Sequence, residues 1–312
     1  MSQKSRRPQA AFVYCIRIVI IGFFLSLLPW SADSHMAKAQ GSCSPLDMVL
    51  LIDSTGSMGG AIDNVKAAAS KIVDEIVAAA GDDYQLGLLE FRDNVVVLTD
   101  MAPGTADVVK TRIAAIQAIE GDNEPEASDE ALNTVINRLS ADGRQQSGNF
   151  SGTWRAGSNK IIVLITDASP GGFNDLYEPG IDDVNASQRA NEAKAAGIRI
   201  SAVYVPTHEG VSAASPSTVN DVSSGLASIA ESIMRVYASV TDGGFIRTAS
   251  NGAGTANAVS ITIRACGKVG EVDLSPGSEP VQVPEPITVV LFGSGLAGLA
   301  GYVRHKRKQL NM

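Results

Sequence analysis

"VLLIDSTGSMGG", residues 49–60, decides the fold. An unbroken apolar run ends in one carboxylate, and three hydroxyls and three glycines follow within seven residues. The run reaches back to Leu46, so residues 46–52 are apolar almost throughout. That pattern predicts a strand buried on both faces, as in parallel sheets covered by helices. Beyond the glycines, Ile62, Val65, Ala69, Ile72, Val73, Ile76 and Val77 recur at three and four, predicting a helix that Gly81 stops.

The same alternation continues outward. Residues 84–91 and 94–99 read as strands joined by a tight turn at Arg92-Asp93, and are therefore antiparallel neighbours. Residues 105–119 and 126–139 are amphipathic helices, and "KIIVLIT", residues 160–166, is a second buried strand. A helix over 185–196 ends at Gly197, residues 198–205 form a third buried strand, and 222–240 form another helix. Residues 244–248 read as a short edge strand. "TANAVSITIRA", residues 255–265, alternates like a strand, but is read as a helix closing an otherwise bare sheet face. The fold class is α/β: a doubly wound, mostly parallel sheet with one antiparallel edge strand and helices on both faces. Such sheets bind ligands at the carboxyl ends of their strands, near the topological switch point.

Both termini read as sorting signals. Lys4, Arg6 and Arg7 precede an apolar stretch over 18–28, and Ala37-Lys38-Ala39 has the small-x-small form of a signal-peptidase site. Residues 1–39 are thus expected to be a signal peptide, with the mature chain beginning near Gln40; an uncleaved anchor is the alternative. Residues 287–303 are uncharged and followed by Arg304, His305, Lys306, Arg307 and Lys308. They are just long enough for a membrane-spanning helix with its basic cluster on the cytoplasmic side. The letters "VPEPITVVLFGSGLAGLAGYVRHKRK", residues 283–308, resemble the PEP-CTERM sorting signal: a Pro-Glu-Pro motif, a hydrophobic helix, then a basic tail. The resemblance implies export in a Gram-negative bacterium, processing by an exosortase-type membrane protease, and a location at the cell surface or in the extracellular matrix. Residues 268–283 are then a linker, and the membrane is a partner only through the terminal signals.

Removing residues 1–39 and 284–312 takes away nine of the 25 basic residues but only Asp33 and Glu285 of the 33 acidic ones. The remaining 16 basic and 31 acidic residues leave a net charge of −15. So acidic a domain is unsuited to nucleic acid. Cys15 lies in the signal peptide, leaving Cys43 and Cys266 almost at the two ends of the domain. In an oxidising compartment they read as a disulfide, with two free thiols as the other reading.

The oxygen-rich segments stand where a site is expected. Asp53, Thr55 and Ser57 alternate along the turn after the first strand, Thr166-Asp167 follows the strand at 160–165, and Asp122-Asn123-Glu124-Pro125-Glu126 opens a helix between them. Each has a local explanation in helix capping, turn formation or the helix dipole. Together they form an oxygen-only donor set of the kind hard divalent cations take.

The segment "DSTGSM" followed by a helix, and "LITDASPGG" at the end of a later strand, closely resemble the von Willebrand factor type A domain and its metal-ion-dependent adhesion site. The resemblance covers residues 46–267. It implies Mg²⁺, with Mn²⁺ or Ca²⁺ as substitutes, coordinated directly by Thr55 and Ser57, with Asp53 and Asp167 holding bound waters. The middle ligand departs from the commonest Thr pattern: "EPEASDEAL" resembles the Pro-Glu version of integrin beta subunits, which makes Glu126 the candidate. Gly60 and Ala61 stand where that family's adjacent metal site has acids, so one metal is expected. Mg²⁺ with three carboxylates carries a net −1, against zero for a Thr version, which tightens the metal and weakens its pull on anions.

The loops over 169–183 and 141–158 carry Phe173 with Tyr177 and Phe150 with Trp154, candidates for a ligand rim or for local packing. No catalytic set emerges. His35 and His305 lie in the terminal signals, His208 stands alone in a loop, and no nucleophile elbow, phosphate loop or zinc spacing is present. The expectation is a non-enzymatic module that recognises a carboxylate on a protein or polysaccharide. The alternatives are a structural matrix protein whose metal stiffens the fold and an accessory subunit of an enzyme complex.

Overall fold

The computed structural model describes residues 43–119, 125–174, 176–207 and 220–278. The expected signal peptide, the end of the linker and the C-terminal hydrophobic segment lie outside them. Among the described residues no helix is long and apolar enough to cross a membrane.

One sheet of eight strands organises the domain: β1 (Leu46–Asp53), β2 (Tyr84–Phe91), β3 (Val95–Ala102), β4 (Gln146–Ser147), β5 (Asn159–Thr166), β6 (Ile198–Tyr204), β7 (Gly244–Arg247) and β8 (Gly270–Asp273). Their spatial order is β4-β3-β2-β1-β5-β6-β7-β8. Every pairing is parallel except β2 with β3, where Phe91 faces Val95 across the tight turn. The chain runs from β1 outward through β2, β3 and β4, then crosses back to lay β5 on the other side of β1. The switch point therefore lies between β1 and β5.

Among the described residues seven helices cover the two faces: α1 (Gly59–Ala67), α2 (Ala69–Ala80), α3 (Ala106–Ala115), α4 (Ser128–Asn137), α5 (Asp182–Ala195), α6 (Asn220–Thr241) and α7 (Thr255–Arg264). A short 3-10 turn, Gly56–Met58, joins β1 to α1. Strand β1 is buried along its whole length. Met48, Leu50 and Ile52 pack with α1, α2, α3 and α7 on one face. Val49 and Leu51 pack with α4, α5 and α6 on the other. Two cores thus share one strand, which is why the run at 46–52 shows no polar alternation.

Three features differ from the sequence expectation. The single helix expected before Gly81 is broken at Ala68, whose ψ of 7° leaves the helical range; Gly81 then caps α2 at φ 59°. Strand β3 is not the edge, because the two-residue β4 pairs beyond it, and β7 is not the opposite edge either. Within the expected linker, Gly270–Asp273 adds β8, parallel to β7, with Val272 buried and Glu271 and Asp273 exposed. Residues 255–265 are helical, as expected, and close the face over β5 to β7.

Cys43 and Cys266 form a disulfide with Cα atoms 5.4 Å apart. It lies at the amino-terminal pole of the sheet, where Asn159 Nδ2 donates to Cys43 O at 2.9 Å. A buried ion pair supports the same pole: Asp47, fully buried, accepts Arg155 N and Nε at 2.6 Å and Ser158 Oγ at 2.7 Å. A crosslink closing a loop of this length removes much unfolded-chain entropy, and its loss is expected to cost about 2–5 kcal/mol. The double variant Cys43→Ser/Cys266→Ser should therefore melt roughly 5–15 °C below the parent by calorimetry. An unchanged melting temperature would show that the crosslink adds nothing to the fold.

Candidate metal centre

Because β1 and β5 are adjacent and parallel, Asp53 ends one strand beside Thr166, and Asp167 follows at once. Both acids are buried, at 0% and 1% exposure. Asp53 Oδ1 accepts the backbone N of Thr55 at 3.0 Å and its Oγ1 at 2.7 Å. Thr55 Oγ1 lies 3.1 Å from Ser57 Oγ, so the three side chains of the first segment converge on one point. Thr166 Oγ1 donates to Asp53 Oδ2 at 2.6 Å, and Thr207, just past β6, donates its hydroxyl to Asp167 Oδ2.

Glu126 reaches the same rim through its backbone. Its N donates to Ser169 O at 2.9 Å, its O accepts Gly171 N at 3.0 Å, and it forms a parallel bridge with Pro170. The chain around Glu126 is thus zipped to the loop that begins at Asp167, and Glu126 itself is 3% exposed. Asp122, Asn123 and Glu124 lie outside the described residues.

The turn beneath these donors is held from behind. A Cβ on Gly60 would stand 2.2 Å from Asn251 O, and one on Gly252, at φ 76°, would stand 2.2 Å from Ala61 N. The first turn of α1 therefore rests backbone to backbone on the loop after β7, a contact only glycine allows.

Electrostatics state what the donors lack. Burial first, then the charge of Asp167, push the Asp53 carboxyl up from 3.8 to about 7, against the lowering effect of its hydrogen bonds from Thr166 and Thr55. Two buried acids in mutual repulsion are stabilised by a divalent cation, which reverses the sign of the local field. Ser169 adds a buried hydroxyl with no hydrogen-bond partner among the described residues. No three His, Cys, Asp or Glu side chains among the described residues gather as a metal-holding group, so any site here depends on the hydroxyls of Thr55 and Ser57. Hard oxygen donors of this mix fit Mg²⁺.

The sequence reading placed Thr166 in an oxygen-rich segment without giving it a role, and did not single out Thr207 or Asp129. Asp129, on α4, accepts Gly172 N at 3.0 Å and pins the loop after β5; burial first and Glu130 second raise its carboxyl to about 6. Thr207 carried a usable signal, since it follows the carboxyl end of a buried strand. The aromatic rim is corrected in part. Phe150 is 1% exposed in the core, and Trp154 donates its indole N–H to Val135 O at 3.0 Å. Their loop runs from Gln146, paired with Val95 at the carboxyl end, past Gly152, which donates to Asp100, to Arg155 on Asp47 at the amino end. Phe150 and Trp154 therefore pack the sheet rather than border the donors. Phe173 and Tyr177 stay on the loop after β5, half-buried against the core, with Arg144 5.3 Å above the Phe173 ring.

The raised Asp53 pKa has a fixed sign. In metal-free protein the folded state keeps a proton that the unfolded chain releases near 3.8, so Asp53 stabilises the fold at low pH and loses that contribution as pH rises toward about 7. In EDTA, Asp53→Asn should gain melting temperature relative to the parent as pH goes from about 5 to about 8, and Mg²⁺ should reverse the order. A difference that stays flat with pH would show that Asp53 titrates normally.

Residues 47–250 match the family model of the von Willebrand factor type A domain, and residues 282–308 match that of the PEP-CTERM protein-sorting motif, which implies export and exosortase-type processing. A comparison with curated proteins gives no match. Among solved structures, the conserved hypothetical protein BatB from Bacteroides thetaiotaomicron is 18% identical, with 70% of this chain and 98% of that one covered and a TM-score of 0.43. Proximal thread matrix protein 1 from the mussel byssus is 15% identical, covering 73% and 49%, with a TM-score of 0.46. The pilus adhesin SpaC from Lactobacillus rhamnosus GG is 15% identical, covering 73% and 30%, with a TM-score of 0.45. With the family model spanning most of the chain and the sheet wound as described, this protein is a member of the von Willebrand factor type A domain family.

Proposed function

We propose that the chain is an exported, cell-surface or matrix binding module that recognises a carboxylate on its partner through one Mg²⁺. The observation that carries this reading is the pair of buried carboxylates, Asp53 and Asp167, at the switch point with Thr55 and Ser57 converging beside them. Thr55 and Ser57 would hold the ion directly, Asp53 and Asp167 would hold it through bound waters, Glu126 would complete the donor set, and the ion would supply a Lewis-acidic position for the partner's oxygen. The protein's own part is to keep the donors preorganised: Thr166 and Thr207 orient the two aspartates, and Asp129 holds the loop that carries Asp167 against α4. The activity is recognition rather than turnover.

A structural role in a matrix is the second reading, and the depth of the donors favours it: an ion bound among buried carboxylates adds its binding free energy to folding. The two readings separate when Mg²⁺ is removed. A binder loses its ligand in EDTA while its melting temperature falls by a few degrees; a structural site shows a large melting shift and no ligand. Pull-down from the producing organism's matrix, with and without EDTA, is the direct comparison.

Two titrations test the donor set. Thr55→Ala/Ser57→Ala should weaken Mg²⁺ binding by about tenfold or more, while the metal-free melting temperature falls only by the loss of the Thr55 hydroxyl on Asp53. Glu126→Thr should weaken Mg²⁺ by roughly tenfold while strengthening capture of a carboxylate by the bound ion, because one negative charge is removed. Unchanged Mg²⁺ affinity in both variants would overturn the proposed coordination.

A further inference from the structure

Beside the donors lies a cavity of about 280 Å³ whose lining includes Glu90, Arg92, Leu98, Arg112, Ile116 and Ile119. Its floor is continuous with the metal-binding segments. Ile119 N donates to Ser54 O at 3.1 Å, and Ser54 N donates to Phe91 O at 3.0 Å. Arg92 O in turn accepts Ala127 N at 2.8 Å, the residue after Glu126. Arg92 is therefore stitched between the turn that carries Asp53 and Thr55 and the strand-like segment that carries Glu126. Its half-buried side chain faces the same hollow as Arg112, from the last turn of α3.

Among the described residues these two arginine side chains have neither an ion-pair nor a hydrogen-bond partner, unlike the others. Arg144, Arg155, Arg189, Arg235, Arg247 and Arg264 are in ion pairs, and Arg138 and Arg199 donate to oxygens of Ser151, Asn159 and Cys266. The cavity of about 520 Å³ near β7 and β8 contains Arg235, already paired with Glu231 and Glu271. Arg92 and Arg112 make no ion pair with any described residue, in a domain with a net charge of −15 after removal of the terminal segments. Among the described residues the lining of the hollow therefore sets two unpaired guanidiniums against one acid, Glu90.

We infer that Arg92 and Arg112 form a second anion subsite, so that the module reads an acidic peptide segment of a protein partner with two carboxylates rather than one. The inference rests on the reading of the metal centre as a carboxylate-binding site. One carboxylate of the segment takes the metal; a second, from a neighbouring acidic side chain, lies in the hollow against the guanidiniums. Arginine's planar fork suits that bidentate contact. Leu98, Ile116 and Ile119 supply an aliphatic wall matching the methylene stem of a glutamate side chain, as the stems of long charged residues cover apolar surface elsewhere. Among the described residues no aromatic ring on which a sugar could stack lines the hollow, which favours peptide over polysaccharide. The subsite also gives the negative metal cluster a local source of attraction for an anionic ligand.

The test uses the full chain and three titrations by calorimetry: Mg²⁺ alone, hexaglutamate at saturating Mg²⁺, and a galacturonate oligomer of equal charge. The parent should bind hexaglutamate more tightly than galacturonate. Arg92→Gln/Arg112→Gln should lose about tenfold or more of the hexaglutamate affinity, since each charge-assisted bond contributes on this scale, with Mg²⁺ affinity unchanged. The single variant Arg112→Gln, at an exposed position, should show part of the loss with an unaltered melting temperature. Hexaglutamate binding equal to the parent in the double variant overturns the subsite, as does a parent that prefers galacturonate or binds neither. Absence of Mg²⁺ binding in the parent instead overturns the metal reading, and hexaglutamate binding in EDTA that still depends on the two arginines would uphold the subsite without it.

Discussion

Two carboxylates end adjacent parallel strands with almost no exposure to water, and the arrangement around them answers that constraint. Asp53 and Asp167 stand where the sheet reverses its winding, the place at which doubly wound sheets open their ligand crevice. Their repulsion is offset by donors: the Thr55 amide and hydroxyl and the Thr166 hydroxyl on Asp53, and the Thr207 hydroxyl on Asp167. These donors offset only part of the effect of burial first and of mutual repulsion second, which is why the Asp53 carboxyl remains far above its ordinary range.

The rest of the domain keeps this arrangement rigid. Strand β1 is gripped by two cores at once, so Asp53 cannot shift along the strand axis without disturbing both faces. The turn after it is backed by the glycine contact between α1 and the loop after β7, and the segment around Glu126 is laced to the loop after β5. Each donor segment is thus fixed to a different part of the frame. Preorganisation of this kind lets a site hold its geometry before the ion or partner arrives.

What could be read from the letters follows from which physical signals are local. Two-sided burial of β1, β5 and β6 leaves unbroken apolar runs, and the heptad-like spacing before Gly81 marks a helix; both are visible without knowing the tertiary structure. Asp53, Thr55, Ser57 and Asp167 stand out because the carboxyl ends of such runs are predictable places. The break at Ala68 involves neither Gly nor Pro and leaves no local mark. "GEVD" is too short for its alternation to be distinguished from linker, although it forms β8. The course of the loop containing Phe150 and Trp154, from one pole of the sheet to the other, depends on Asp100 and Asp47, residues far away in sequence. For the same reason Arg92 reads as a turn residue, and its position between two donor segments emerges only from the backbone bonds on either side.

Strand β8 changes how the domain would carry a load. The disulfide staples the chain at the amino-terminal pole, but β8 runs parallel to β7 and brings the chain back past Asp273 to the carboxyl-terminal pole. There Leu274 N bonds to Arg247 O and Ser275 Oγ to Thr248 O. Four strand spacings, about 19 Å, separate the end of β8 from the end of β1. Tension between the departing chain and anything held at Asp53 therefore runs sideways across the ends of β5, β6 and β7. It does not pass through the covalent staple, and the resistance it meets first is the four-residue ladder of β8 on β7, pulled at its terminal bond.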